Sequence, residues 1–130
     1  MDVPADLLVA EDNPALSGVV RFNLERAGFN VTMADDGCQA WKLAQARDFK
    51  LVITDQQMPG MTGVELCHRL RSHPRYTHTP IIMLTAKGLE LNLGDLKSQL
   101  GVAAVLPKPF SPRELIQKVA ECLQHSVQAP

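Results

Sequence analysis

The sequence predicts an α/β fold, a parallel sheet covered by helices on both faces. Three observations lead there. Short runs such as Leu51-Val52-Ile53-Thr54 and Ile81-Ile82-Met83-Leu84 are apolar almost throughout, the pattern of strands buried on both faces. These runs alternate with segments whose apolar residues recur at helical spacing, so that a βα unit repeats five times in 130 residues. Acidic, hydroxyl and ammonium side chains stand at the ends of successive runs, where folds of this kind bind ligands.

Leu7 to Ala10 is the first strand, ending in Glu11-Asp12. Asn13-Pro14 opens a helix, with Asn as N-cap and Pro at the first helical position. Leu16, Val20, Leu24 and Ala27 form its expected inner stripe, with Val19 beside them and Gly28 as its stop. Val31 to Ala34 is a second strand. A helix over Gly37 to Ala46 follows, with Ala40, Trp41 and Ala44 facing inward. Leu51 to Asp55 is the clearest strand. Met58 to Gly63 is a loop and Val64 to Arg71 a helix; Ser72 to Thr79 lacks periodicity and reads as a connection. Ile81 to Leu84 is a strand ending at Thr85. Leu89 to Leu100 is a weaker helix with Gly94 inside it, its expected inner stripe Leu89, Leu93, Leu96 and Leu100, with Leu91 turned towards a partner. Val102 to Leu106 is the last strand. Ser111-Pro112-Arg113-Glu114 is a capping box that opens a helix with Leu115, Ile116, Val119 and Leu123 inside. A single domain over residues 1–130 is expected, with its core at about 6–124 and a short tail at 125–130.

Composition narrows the function. With 45% apolar residues the chain can bury a core without disulfides or a structural metal. Thirteen lysines and arginines balance 14 aspartates and glutamates, which argues against direct nucleic-acid binding and against a polybasic membrane surface. Cys38, Cys67 and Cys122 are scattered and odd in number, with no CxxC pair, as expected of thiols in a reducing cytoplasm. The first residues lack the basic and apolar regions of a secretory signal, and no run approaches the roughly 20 apolar residues that span a bilayer.

The strand ends carry the chemistry. Glu11 and Asp12 follow strand one, Asp55 ends strand three, Thr85 ends strand four and Lys108 lies just past strand five. Three carboxylates brought to one rim repel one another unless a cation joins them. All-oxygen ligands favour Mg2+ or Mn2+. A hydroxyl and an ammonium opposite that metal suit a phosphoryl group, and Asp55 is the natural carboxylate nucleophile. Each residue alone has a plainer explanation: a solvated acid, a helix cap, a strand-end hydroxyl, a turn lysine. Their conjunction at successive strand ends carries the inference.

The segments LLVAEDN at 7–13, LVITDQQMPGMTG at 51–63, IIMLTA at 81–86 and LPKPF at 106–110 resemble, in order and separation, the receiver domains of two-component response regulators. The resemblance covers about residues 6 to 124. It implies a doubly wound, flavodoxin-like (βα)5 fold whose five-stranded parallel sheet has the order 2-1-3-4-5. It also implies a switch that is not an enzyme in its own right. Such a switch takes a phosphoryl group on Asp55 from a sensor histidine kinase or a histidine phosphotransfer protein. Glu11 and Asp12 match the acidic metal pair, Asp12 being the more direct ligand, and Gln57 offers its backbone carbonyl to the metal. Thr85 and Lys108 match the phosphoryl-binding hydroxyl and lysine, and Ala86 the small residue that leaves the phosphoryl accessible. The Lys108-Pro109 bond is expected to be cis. Gln57 and Lys87 are placed to tune the phosphoryl lifetime.

Departures from the family pattern are visible. Val105 stands where an aromatic ring is common, and Pro107 precedes the lysine, tolerable on an edge strand. Two other readings compete. A phosphatase of the haloacid-dehalogenase type needs an acid where Gln57 stands. A receiver-like binding module that is never phosphorylated would keep the same residues and fail to take a label from a small phosphodonor.

Overall fold

The computed structural model describes residues 4–86 and 93–128. Lys87, Leu89 and Leu91 lie outside the described residues, as does the first part of the helix expected from Leu89. The strands are β1 (Asp6–Ala10), β2 (Asn30–Ala34), β3 (Leu51–Asp55), β4 (Ile81–Thr85) and β5 (Ala104–Pro107). The helices are α1 (Pro14–Arg26), α2 (Gly37–Ala46), α3 (Gly63–Arg71), α4 (Leu93–Leu100) and α5 (Pro112–Gln128). The sheet is parallel throughout, in the order β2-β1-β3-β4-β5, which is the flavodoxin-like arrangement.

Alternation along the strands divides the core in two. Leu8 and Ala10 of β1, Val52 of β3, and Ile81 and Met83 of β4 pack with Ala40 and Ala44 of α2, Leu66 and Leu70 of α3, and Leu96 and Leu100 of α4. Leu7 and Val9, Leu51 and Ile53, Ile82 and Leu84 face the other way, against Val20 and Leu24 of α1 and Leu115 and Val119 of α5. Successive strand side chains point to opposite faces, so a strand with helices on both sides is apolar at almost every position.

The ends of the elements refine the sequence reading. Asn13 caps α1 as expected, its Oδ1 accepting from the Ala15 and Leu16 amides at 3.0 and 3.3 Å. Ala27 is not part of the inner stripe: it is the C-cap of α1 and exposed, and Val19 is 49% exposed. The Ser111–Glu114 capping box forms, at 3.1 and 3.3 Å. The last strand starts at Ala104 rather than Val102, because the Ala103 amide bonds Ile81 O ahead of the regular ladder. It reaches Pro107, which lies opposite Thr85 on the outer edge, where a missing N–H costs no ladder bond. Helix α5 continues to Gln128, beyond the expected start of the tail.

The connection over residues 72–79 is more ordered than its sequence indicates. It holds a 3-10 turn, Pro74–Tyr76, and Tyr76 is fully buried. The Tyr76 hydroxyl donates to the Ala44 carbonyl at 2.6 Å and also bonds the Arg47 carbonyl, so it ties this turn to the end of α2. Replacing Tyr76 with Phe keeps the ring, removes the hydroxyl donor from the Arg47 carbonyl and leaves the Ala44 carbonyl with only the Arg75 guanidinium at 3.3 Å. The expected loss is roughly 1–2 kcal/mol, read as a lower urea midpoint at unchanged m-value.

Candidate functional site

The site lies beyond the carboxyl ends of β1, β3 and β4, where the strand order reverses between β1 and β3. Glu11 follows β1, and its amide continues the ladder to Ala34 O at 3.1 Å. Its side chain is therefore committed to the rim and is buried, 2% exposed as a residue. Glu11 Oε2 accepts the Asn13 amide at 3.1 Å. Asp12, next in the chain, is exposed. Asp55, the last residue of β3, is 4% exposed, and its carbonyl accepts the Thr54 hydroxyl at 2.9 Å. The three side chains each present a carboxylate oxygen within 4.8 Å of the others.

Lys108 comes from the far side. The Lys108 amide donates to Thr85 O at 2.7 Å, which brings the segment after β5 in over β4. The Lys108–Pro109 bond is cis, as the resemblance implies. Lys108 Nζ stands 3.2 Å from Glu11 Oε1 and 3.2 Å from Asp55 Oδ2. Thr85 is buried at the rim, followed by half-buried Ala86. Gln57 is exposed, and with Asp12, Gln56, Met58 and Pro59 it lines an open cavity of ≈ 510 Å³. Glu11, Asp12, Asp55 and Lys108 are thus brought together, with Thr85 and Gln57 on adjoining segments of the same rim.

Burial is the main influence on Glu11 and pushes its carboxyl above the ordinary range. The Asn13 amide opposes this, the Asp55 charge adds to it, and Lys108 opposes it. Lys108 responds in the other sense. Burial alone would lower it, but the Asp55 and Glu11 carboxylates outweigh that and hold the ammonium more firmly protonated than usual. Glu11 Oε1 is buried and has no aligned hydrogen-bond donor; its contact with Lys108 is a charge pair without good hydrogen-bond direction. Three carboxylates facing one ammonium leave two negative charges uncompensated. An orphaned carboxylate oxygen, a surplus of two charges and an all-oxygen donor set fit a hard divalent cation such as Mg2+.

Two residues of the site neighbourhood were missed in the sequence. Gly63 opens α3 where an added Cβ would stand 2.5 Å from Asp55 O, so only glycine fits against the strand end. Its signal was the Thr-Gly pair just before an apolar helix. Gln56 Oε1 accepts the Val64 amide at 2.9 Å. That contact joins residues eight positions apart, and no local pattern announces it.

A fold of this topology with acids and a lysine on this rim defines the class of receiver-type phosphoacceptor domains. The model of the response regulator receiver domain family matches residues 7–120, and the chain belongs to that family. It is 37% identical over 120 residues to the alkaline phosphatase synthesis transcriptional regulatory protein PhoP of Bacillus subtilis (strain 168), a match covering 92% of this chain and 49% of that protein. It is 33% identical to the transcriptional regulatory protein SrrA of Staphylococcus aureus, over 93% of this chain and 48% of that one. The chain spans about half the length of these relatives. Among solved structures it is similar to the chemotaxis protein CheY4 of Vibrio cholerae, at 31% identity and TM-score 0.85, covering 92% of this chain and 99% of that one. It is also similar to the receiver domain of sensor histidine kinase PA1611 from Pseudomonas aeruginosa PAO1, at 29% identity and TM-score 0.82, covering 94% and 99%. That structure has a magnesium ion coordinated in its active-site cleft.

Replacing Lys108 with Met leaves the Glu11 and Asp55 carboxylates without their cation. The metal-free protein is expected to lose roughly 1–3 kcal/mol, and added Mg2+ should then raise its melting temperature by more than it raises that of the unaltered protein. Thermal melts with and without Mg2+ check both.

Proposed function

We propose that the chain is a phosphorylation-controlled switch in which Asp55 accepts a phosphoryl group from a phosphohistidine. The donor is a sensor histidine kinase or a histidine phosphotransfer protein. The observation that supports this most is the setting of the Asp55 carboxylate: buried at a strand end, beside two further acids, with Lys108 at 3.2 Å. Asp12, Asp55 and the Gln57 carbonyl would hold Mg2+, with Glu11 alongside through water. When bound, the metal would neutralise the acids and draw charge from the transferring phosphoryl oxygens.

A carboxylate oxygen of Asp55 attacks phosphorus as the P–N bond to the donor imidazole breaks, and the imidazole nitrogen keeps the bonding pair. Lys108 exchanges part of its contact with Glu11 and Asp55 for a phosphoryl oxygen, and the Thr85 hydroxyl donates to another. Ala86 leaves that oxygen reachable. Gln57, and Lys87 beyond Thr85, set how fast water removes the group. No separate substrate is turned over, so the chain acts as a phosphoacceptor rather than as an enzyme.

The relay follows from what moves. The phosphoryl group draws Thr85 inward and vacates space towards β5. Val105 is half-buried, branched at Cβ and short, so it cannot swing far into that space. The signal instead leaves through the segment that ends in α4, where exposed Gly94 weakens the helix. Among the described residues no helix is long and apolar enough to cross a membrane. Free thiols at Cys38, Cys67 and Cys122 accord with a cytoplasmic site of action.

Mg2+-dependent labelling by a small phosphodonor is expected to reach one phosphoryl group per chain, alkali-labile as an acyl phosphate. It should be absent in Asp55→Asn and after chelation of the metal. Stable labelling of Asp55→Asn would overturn the assignment. Hydrogen exchange with beryllofluoride should change protection over residues 93–100, and unchanged protection there would remove α4 from the relay.

A further inference from the structure

The loop between β3 and α3 is closed by a narrow neck, and Gln56 makes most of it. The Gln56 amide donates to Leu84 O at the end of β4, at 2.9 Å. Its carbonyl accepts the Gly63 amide at 3.0 Å, and its side-chain Oε1 accepts the Val64 amide at 2.9 Å. Both acceptor contacts fall on the first residues of α3, whose opening amides have no partner within the helix. At the neck Gly63 approaches so closely that an added Cβ would meet Gln56 Cα at 3.0 Å and Asp55 O at 2.5 Å. The neck therefore abuts the main chain of Asp55.

We propose that Gln56 is a positioning residue for the metal site, acting through the carbonyl of the residue that follows it. This rests on the metal site proposed above. The Gln56 carbonyl belongs to the peptide plane that joins Gln56 to Gln57, and the Gly63 amide fixes that plane. On the other side Met58 is anchored, only 8% exposed. Between these two anchors the direction of the Gln57 carbonyl depends on the torsions of Gln57 itself. Leu66 and Leu70 pack α3 onto the sheet, and the side-chain bond to Val64 adds a second link that holds the start of α3, and with it the Gly63 amide, against residue 56. An apolar side chain of the same length would leave the Val64 amide without its acceptor and let the neck open. The Gln57 carbonyl would then have to be ordered by the metal at the moment of binding, at a cost in affinity.

The Thr62–Glu65 pair offers a control. Thr62 Oγ1 accepts the Glu65 amide and Glu65 accepts the Thr62 amide, each at 3.2 Å, so this pair caps α3 without touching residue 56. Gln56→Met and Glu65→Ala each remove one support from the start of α3, and only the first opens the neck. Calorimetric titration with Mg2+ is expected to show affinity about tenfold weaker in Gln56→Met and near that of the unaltered protein in Glu65→Ala. Phosphodonor labelling of Gln56→Met at saturating Mg2+ should recover its rate, a shift in metal requirement rather than in chemistry. Hydrogen exchange of the metal-free protein should rise over residues 57–62 in Gln56→Met more than in Glu65→Ala. Equal Mg2+ affinity in Gln56→Met and the unaltered protein, or equal weakening in both variants, would reduce Gln56 to a cap of α3 and overturn the inference. Absence of Mg2+ binding by the unaltered protein would instead overturn the proposed function and the metal role together, while the exchange data would still decide whether Gln56 closes the loop.

Discussion

Lys108 Nζ meets Glu11 and Asp55 at the same 3.2 Å, although its own strand is separated from β1 by two others. Two carboxylate oxygens within 4.8 Å of each other repel by roughly 3.5 kcal/mol or more at an effective dielectric near 20. Burial adds to that cost by removing water from both. A domain with a net stability of about 5–15 kcal/mol holds such a pair ionised more readily when a cation is kept beside it. The Lys108 amide bond to Thr85 O, at 2.7 Å, is what keeps it there, since it pins the loop after β5 across the end of β4. The sheet order, the length of β5 and the direction of that loop all serve this one contact.

The compensation is incomplete, and that is where function enters. One ammonium leaves two negative charges among the three acids and an orphaned oxygen on Glu11. The rim is thus held in a state that a divalent cation would relieve, and under the proposed function a phosphoryl group would give Lys108 a stronger partner than either carboxylate. Because the Lys108 amide is bonded to Thr85 O, a change in what its ammonium contacts would, under the proposed function, bear on the end of β4. Under the proposed function, coupling between the site and the β4–α4 side of the molecule would run through this hydrogen bond and would need no aromatic ring at Val105.

The sheet and the convergence of the rim residues were legible in the sequence for the same reason. A strand buried on both faces is apolar almost throughout, with buried Thr54 bonding its hydroxyl to Asp55 O, so a charged residue marks its end, as Asp55 does after Leu51–Thr54. Helix caps were legible where the capping pair is local, at Asn13 and at Ser111 with Glu114. What stayed hidden depends on contacts between residues far apart. Tyr76 looked like one polar residue among others in a connection, yet its hydroxyl reaches the Ala44 carbonyl, 32 positions away. Gln56 could not be singled out from the sequence because its partner, Val64, belongs to the next helix. Ala27 misled in the opposite sense: its spacing fits the inner stripe, but Gly28 ends the helix with φ +102, and the cap residue turns outward.

The two edges of the sheet are held by different chemistry. At the edge away from the acids, Arg71 donates to the carbonyls of Leu100 at 2.6 Å, Tyr76 and Thr79 at 2.7 Å and Gly101 at 3.1 Å. All of these are neutral acceptors in peptide groups, and together they join the ends of α3 and α4 to the start of β4. Burial lowers the Arg71 guanidinium from its usual range, but a guanidinium stays charged through any pH the fold survives. These Arg71 contacts therefore do not depend on the charges of the acid-bearing rim. At the acid-bearing end the contacts of Lys108 with Glu11 and Asp55 involve charges that a metal or a phosphoryl group could displace, beside neutral main-chain bonds such as Lys108 N to Thr85 O. Opening costs little where contacts exchange and much where they do not. Under the proposed function, movement that starts at Thr85 would be resisted at Leu100 and Gly101, whose carbonyls Arg71 holds, so a small change in charge at the rim would reach α4 as a tilt rather than as a loosening of the domain.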